Sequence, residues 1–304
     1  MKVLVGVNGS ADSLHAVRLA ARVLDPQQDA LALFYSAPAV NLWERTPTHQ
    51  NLARQYQDML AEKVFASARA ALPAPWSPAE TIRSTQRPDS ALLAAARSWG
   101  AEMIVVGARG GGPVATQQLG SVVRNVLRAA EMPVLVARPP RAGHEAAPLR
   151  LLVAHDESEL SLRAAEFVCR LTLPEGSSGR VISVVESPGV EVAQWAQHQP
   201  STAEAREIAQ LFIQQHEQEK AARRARLAIL SRQRLPAAFH GTEPLVVEGH
   251  AAEQILRAAE EGAFDLVVCG MRRQGAVARF LLGSTSETVV AYAPCSVLVV
   301  PPGE

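Results

Sequence analysis

Two segments of this chain begin alike and end alike, and that repetition constrains its fold more than any other feature. Lys2–Ser10, KVLVGVNGS, aligns with Arg150–Ser158, RLLVAHDES, at an offset of 148 residues (150 − 2 = 148). Glu102–Gly107, EMIVVG, aligns with Asp265–Gly270, DLVVCG, at an offset of 163 (270 − 107 = 163). Val134–Val136 and Val297–Val299 keep that second offset. The second copy therefore holds 15 extra residues (163 − 148 = 15) between its first and fourth strands, most naturally around the charged stretch Thr202–Arg234. Two copies are too few for a solenoid, so the chain reads as a duplicated domain.

Within a copy, short apolar runs alternate with helical patterns. In the first, Lys2–Val7, Ala30–Tyr35, Thr81–Ser84, Met103–Val106 and Val134–Ala137 read as strands. Leu14, Val17, Ala21 and Leu24 recur at helical spacing, with Ser10 or Ser13 as N-cap. Further helices are expected at Leu52–Leu72, Ser90–Trp99 and Ser121–Ala130. The alternation predicts an α/β fold of two tandem doubly wound, parallel, five-stranded sheets with helices on both faces. Pro139–Pro148, PPRAGHEAAP, has linker composition. The expected domains are residues 1–139 and 150–304, joined by a linker at 140–149.

Bulk properties exclude several classes. Lys+Arg and Asp+Glu both total 30, which argues against a polybasic binder of nucleic acid or membrane. No window approaches the roughly 18 apolar residues of a membrane span, and MKVLVGV is too short an apolar run for a signal peptide. Three cysteines without a CxxC pair read as reduced, mostly buried thiols, and the chain is expected in the cytoplasm.

In doubly wound sheets ligands bind at the carboxyl ends of strands where the strand order reverses. The loops after the first and fourth strands are the candidates. The second of these is Gly107–Ser121, GARGGGPVATQQLGS, a glycine-rich passage between a buried strand and a helix start. Such a junction presents backbone N–H groups and a positive dipole end to phosphate. Gly270–Ser284, GMRRQGAVARFLLGS, repeats its length and both ends. No Walker GK[ST], GxSxG or HExxH motif accompanies it, and neither a metal site nor a catalytic residue is assigned. His155 and Asp156 sit side by side, but neighbouring strand residues point to opposite faces and nothing completes a triad.

The spacing Gly107-x2-Gly110-x9-Gly120-Ser121 resembles the adenine-nucleotide signature of the universal stress protein family. LVGVNGS, MIVVGARG, LGS and MPVLV stand in that family's order, and LVAHDES, LVVCGM, LLGS and CSVLVV repeat it. The resemblance implies a stress-response regulator that binds ATP or another adenine nucleotide, with or without Mg2+; with no general base or in-line nucleophile read in the sequence, no enzyme is expected beyond slow ATP hydrolysis at most. Carried over by position, the first site comprises Val7, Asn8, Val106, Gly107, Arg109, Gly110, Gly120, Ser121, Val122 and Val123. A weaker second site comprises Asp156, Gly270, Gly283 and Ser284. The resemblance also implies an intramolecular pseudo-dimer, with Val134–Val136 paired antiparallel to Val297–Val299. Homodimerisation of the whole chain and the identity of protein partners stay open.

The departures from the family pattern are asymmetric. Asn8 stands where the family usually has Asp, which keeps an acceptor and loses a charge. In the second copy Glu157 replaces a glycine, and Arg273 stands where the second motif glycine belongs. One competent site is expected, in the first half. The alternative is a nucleotide-free pseudo-dimeric scaffold for stress-response partners. The helix Thr202–Arg234 is read as a solvated helix packed on the sheet, with a partner-binding helix as the alternative.

Overall fold

In each half four strands are largely buried, as parallel sheets covered by helices require, and the fifth, at the outer edge of the sheet, is partly exposed. The computed structural model describes residues 1–37, 46–76, 79–109, 119–140, 147–185, 203–271 and 283–303. The first half contains β1 (Lys2–Gly6), β2 (Ala30–Ser36), β3 (Glu80–Ser84), β4 (Met103–Gly107) and β5 (Val134–Ala137). The second contains β6 (Arg150–Ala154), β7 (Ser178–Val185), β8 (Leu245–Glu248), β9 (Leu266–Gly270) and β10 (Ser296–Val300). Their order is β3-β2-β1-β4-β5-β10-β9-β6-β7-β8, a single ten-stranded sheet.

Within each half every pairing is parallel; at the join, β5 and β10 run antiparallel. The register is Val134 with Val299, Leu135 with Leu298 and Val136 with Val297. The expected pseudo-dimer is thus present within the chain, and two otherwise open sheet edges are closed. Side chains alternate across it. Leu135 and Leu298 join one core layer, and Val134, Val136, Val297 and Val299 join the other. Both layers run unbroken from one half into the other.

The helices are α1 (Ala11–Arg22), α2 (Pro47–Ala70), α3 (Pro88–Trp99), α4 (Ser121–Ala129), α5 (Glu159–Val168), α6 (Ala203–Arg234), α7 (Ala251–Glu261) and α8 (Ser284–Tyr292). One core layer takes α1, α2, α5 and α6, and the other takes α3, α4, α7 and α8. Ser10 is the N-cap of α1, accepting from the Ser13 amide at 3.3 Å. Ser158 does the same for α5 through Ser161 at 3.3 Å.

Three details differ from the sequence expectation. α2 begins at Pro47 rather than Leu52: proline suits the first helical position, and Thr46 Oγ1 caps it from the His49 amide at 3.3 Å. α3 likewise starts on a proline, Pro88, two residues early. Cys169 is exposed rather than buried, because it falls at the C-cap of α5; its thiol donates to the Arg234 carbonyl at 3.2 Å. Cys269 and Cys295 are buried.

The pairings also place the inserted residues. Gly6 pairs with Phe34 and Ala154 with Ile182, so the offset is still 148 at β7 (182 − 34 = 148). Phe34 pairs with Ile82 and Ile182 with Leu245, so it has become 163 at β8 (245 − 82 = 163). The insertion lies between these strands, where α6 has 32 residues and its counterpart α2 has 24.

Candidate functional site

The strand order reverses between β1 and β4, so the loops leaving these strands diverge over opposite faces and open a crevice. The β1 loop is fixed by local hydrogen bonds. Asn8 Oδ1 accepts from the Ser10 amide at 3.0 Å, and the Asn8 amide donates to Ser13 Oγ at 3.3 Å. The Ser13 hydroxyl donates in turn to the Ser10 carbonyl at 2.9 Å. Gly9 turns the chain at φ +79°. The acceptor of Asn8 is therefore engaged in the turn, leaving its amide NH2 as the donor it can offer.

At the other side, β4 ends on Gly107 against the first turn of α1. A Cβ there would lie 2.6 Å from the Asp12 backbone carbon. Gly107 is required by helix–strand packing, not by a left-handed φ. The chain then turns under Asp12, whose Oδ2 accepts from the Arg109 amide at 3.1 Å and lies 3.5 Å from Arg109 Nε. Arg109 is partly neutralised by this pair while its side chain stays 46% exposed.

Gly120 re-enters beside this turn, its amide donating to the Ala108 carbonyl at 3.1 Å. It is the N-cap of α4 and has no side chain to satisfy the helix. The amides of Ser121, Val122 and Val123 occupy the first turn, whose N–H groups have no intrahelical acceptor. Ser121 is exposed at the tip, and Val123 is buried.

These elements enclose a cavity of about 210 Å³. Val7, Asn8, Val106, Gly107, Arg109, Gly120, Ser121, Val122 and Val123 all line it; Gly110 lies outside the described residues. Sequence reasoning missed Ser13, Phe34, Tyr35, Ser36, Pro88 and Leu92, which complete the wall. Phe34 and Tyr35 end β2, and Pro88 opens α3; both places are at the carboxyl edge, which was the available signal. Tyr35 is steadied by an edge-to-face contact with Phe65 at 6.2 Å, and burial pushes its hydroxyl pKa up. The walls are mainly apolar and the mouth is polar.

The second half repeats the arrangement with different chemistry. Asp156, Gly270, Gly283 and Ser284 line a cavity of about 490 Å³. Asp156 Oδ1 accepts from the Ser158 amide at 3.1 Å, the turn that Asn8 makes in the first half. Gly270 packs like Gly107, since a Cβ would meet the Leu160 carbonyl oxygen at 2.8 Å. Most of the other lining residues were not foreseen as site residues, among them His155, in place of Val7, and Arg223, from α6. Arg272 and Arg273 lie outside the described residues. A larger recess of about 610 Å³ lies at the amino ends of the second-half strands, beside Ser178, Gly179 and Phe264, away from both switch points.

The sequence model described as "Universal stress protein family" matches residues 1–138 and again 149–301. The chain belongs to the universal stress protein family. A universal stress protein of Mycobacterium tuberculosis (strain ATCC 25618 / H37Rv) is 27% identical over 322 residues, covering 98% of this chain and 95% of its own length. A Thermus aquaticus universal stress protein is 50% identical over 58 residues, which are 19% of this chain and 42% of that relative. Among solved structures, a universal stress protein from Archaeoglobus fulgidus superposes with a TM-score of 0.58 at 19% identity, covering 100% of this chain and 97% of that one. This universal stress protein therefore carries the family domain twice, and its two carboxyl-edge cavities are the corresponding places in the two copies. Among the described residues no helix is long and apolar enough to cross a membrane, and no cluster of three His, Cys, Asp or Glu could hold a metal ion.

Proposed function

We propose that this universal stress protein binds an adenine nucleotide, ATP foremost, in its first-half cavity, and acts as a nucleotide-responsive regulator rather than an enzyme. The observation that carries the reading is the meeting of an apolar cavity with three first-turn amides of α4 that have no helical acceptor. A base needs flat apolar contact, which Val7, Phe34, Leu92 and Val122 supply. Phosphate needs N–H donors and a positive dipole end, which Ser121–Val123 supply, with the Ser121 hydroxyl and Arg109 beside them.

The volume is consistent with that division. At about 210 Å³ the cavity is smaller than the roughly 300–1,000 Å³ of pockets that enclose a whole ligand. It would hold the base end and leave the phosphates at the mouth, over α4. No acidic side chain is among the described lining residues, so Mg2+ would arrive on the nucleotide's own phosphates. None of the described lining residues supplies a general base for hydrolysis, and occupancy would act by shifting populations between states.

Calorimetric titration of ATP into the purified chain tests this, with Ser121→Asp as the site variant. An acid at the first helical position favours the helix dipole and leaves the fold intact, while it repels phosphate. Affinity is expected to fall about tenfold or more. Absence of heat in the parent protein, with partner capture unaffected by Ser121→Asp, would favour the nucleotide-free scaffold.

A further inference from the structure

The second-half cavity is not a weakened copy of the first; polar side chains have been added to its wall. Val7 is replaced by His155, and Tyr35 by Ser183. Val122 and Val123, on the first turn of α4, are replaced on α8 by Thr285 and Ser286. Polar groups are thus added at three lining positions, His155, Thr285 and Ser286, where the first half has valines. The cavity is also more than twice as large, about 490 Å³ against 210 Å³.

Polar donors there are left without acceptors. His155 is only 7% exposed and lines the cavity. Its Nδ1 accepts from the Glu157 amide at 3.0 Å, which places the ring proton on Nε2. Burial lowers its pKa, so the ring is neutral and carries that one N–H. Nε2 is buried and has no hydrogen-bond partner among the described residues. Arg223 reaches the same cavity from α6, and Ser183 Oγ accepts from its Nη1 at 3.4 Å. Its Nε lies 3.2 Å from Glu157 Oε2 without making a hydrogen bond. Buried N–H groups left unpaired cost stability, so native sites place an acceptor against them.

The nearby carboxylates are already held. Arg226 donates to both Glu157 oxygens, at 2.6 and 3.1 Å. Asp156 Oδ1 takes the Ser158 amide and hydroxyl at the N-terminus of α5, where the helix dipole offsets its charge. Across the cavity, α8 begins at Gly283, which offers no side-chain cap, so its first-turn amides also lack acceptors.

We propose that the second-half cavity binds a small oxyanion, of the phosphate or carboxylate class, through His155 Nε2–H, the Arg223 guanidinium and the first-turn amides of α8. The oxyanion supplies the acceptors that the site lacks, and neither a base nor a metal is needed. This site stands independently of the nucleotide in the first half. It gives the chain two ligand inputs of different chemistry on one shared sheet.

The test is a titration of the full-length protein with inorganic phosphate, acetate or ATP, read at the ¹⁵N resonances of the His155 ring and the Ser284–Ser286 amides. Saturable shifts with phosphate or acetate are expected, and which anion binds more tightly identifies the source class. His155→Val, which installs the first-half residue, and Arg223→Gln should each weaken binding about tenfold. Ser284→Asp should abolish it. If neither anion moves these resonances, the donors are satisfied by water and the proposal falls. It also falls if ATP moves them at lower concentration than either anion, since the cavity would then be a nucleotide site. The readout is local, so it is unaffected by whether the first half binds ATP.

Discussion

Glu157 stands where the first half has Gly9, and both residues hold a left-handed backbone, φ +65° against φ +79°. A glycine adopts that conformation freely, whereas a residue with a Cβ meets the following carbonyl. The strain persists because Arg226 holds the Glu157 side chain through two hydrogen bonds, so the turn also anchors α6.

Replacing Glu157 by glycine and by alanine separates those two contributions. Both variants lose the ion pairs, but only the glycine variant is free of backbone strain at this turn. Glu157→Gly should exceed Glu157→Ala in stability by about 1–2 kcal/mol in urea denaturation. Equal stabilities would show that the turn is not strained.

Gly107 is predicted to be structural before it is functional. Gly107→Ala drives a methyl group into the Asp12 backbone, a contact of 2.6 Å, and neither main chain can yield cheaply. The expected cost is about 1–3 kcal/mol with or without nucleotide. Gly270→Ala should behave alike, since its Cβ would meet the Leu160 carbonyl oxygen at 2.8 Å. Loss of nucleotide binding at unchanged stability would contradict this reading.

Arg138 ties the halves together beyond the β5–β10 ladder. It is 8% exposed, and its Nη2 donates to the Val290 and Ala291 carbonyls at 2.7 and 3.0 Å, near the C-terminal end of α8. Its amide donates to Ser296 Oγ at 3.1 Å. Arg138→Met keeps most of the volume but strands buried carbonyls, and should cost about 2–4 kcal/mol in chemical denaturation. A parent-like midpoint would remove the residue from the account of how the two copies are joined.

Stability should fall in acid through named carboxylates. Hydrogen bonds from Arg226 hold the Glu157 carboxyl below its ordinary range, and Lys220 at 2.7 Å does the same for Glu248, which links α6 to β8. A depressed folded-state pKa gives stability that is present above the unfolded value and lost as pH falls through the folded one. The Glu157→Gln, Glu248→Gln double variant should therefore show a shallower loss below pH about 4.5. An unchanged slope would mean that these pairs do not hold α6.

The duplication and the sheet were legible because they rest on runs that no other context could accommodate. Val134–Val136 and Val297–Val299 stand out as apolar runs, while their antiparallel pairing with each other was implied by the family resemblance alone. The first-half site was legible as far as its loops, since Asn8 and Ser121 lie in recognisable junctions. Phe34 and Leu92 were not, because an apolar residue at the end of a strand looks the same whether it walls a cavity or fills a core. Arg223 was hidden for a different reason: it reaches the site from an inserted helix, 68 residues beyond His155 (223 − 155 = 68), and only the folded chain brings them together. The reason for a glycine at 107 was not legible, because the Asp12 backbone on α1 that excludes a side chain there lies 95 residues away in the chain (107 − 12 = 95).

The asymmetry of the two cavities is tested most directly by the stoichiometry of ATP binding to the parent chain, Ser121→Asp and Ser284→Asp, measured by calorimetry. One ATP per chain is predicted in the parent, with loss of binding in Ser121→Asp and no change in Ser284→Asp. No binding in the parent, two equivalent sites, or loss through Ser284→Asp alone would contradict it.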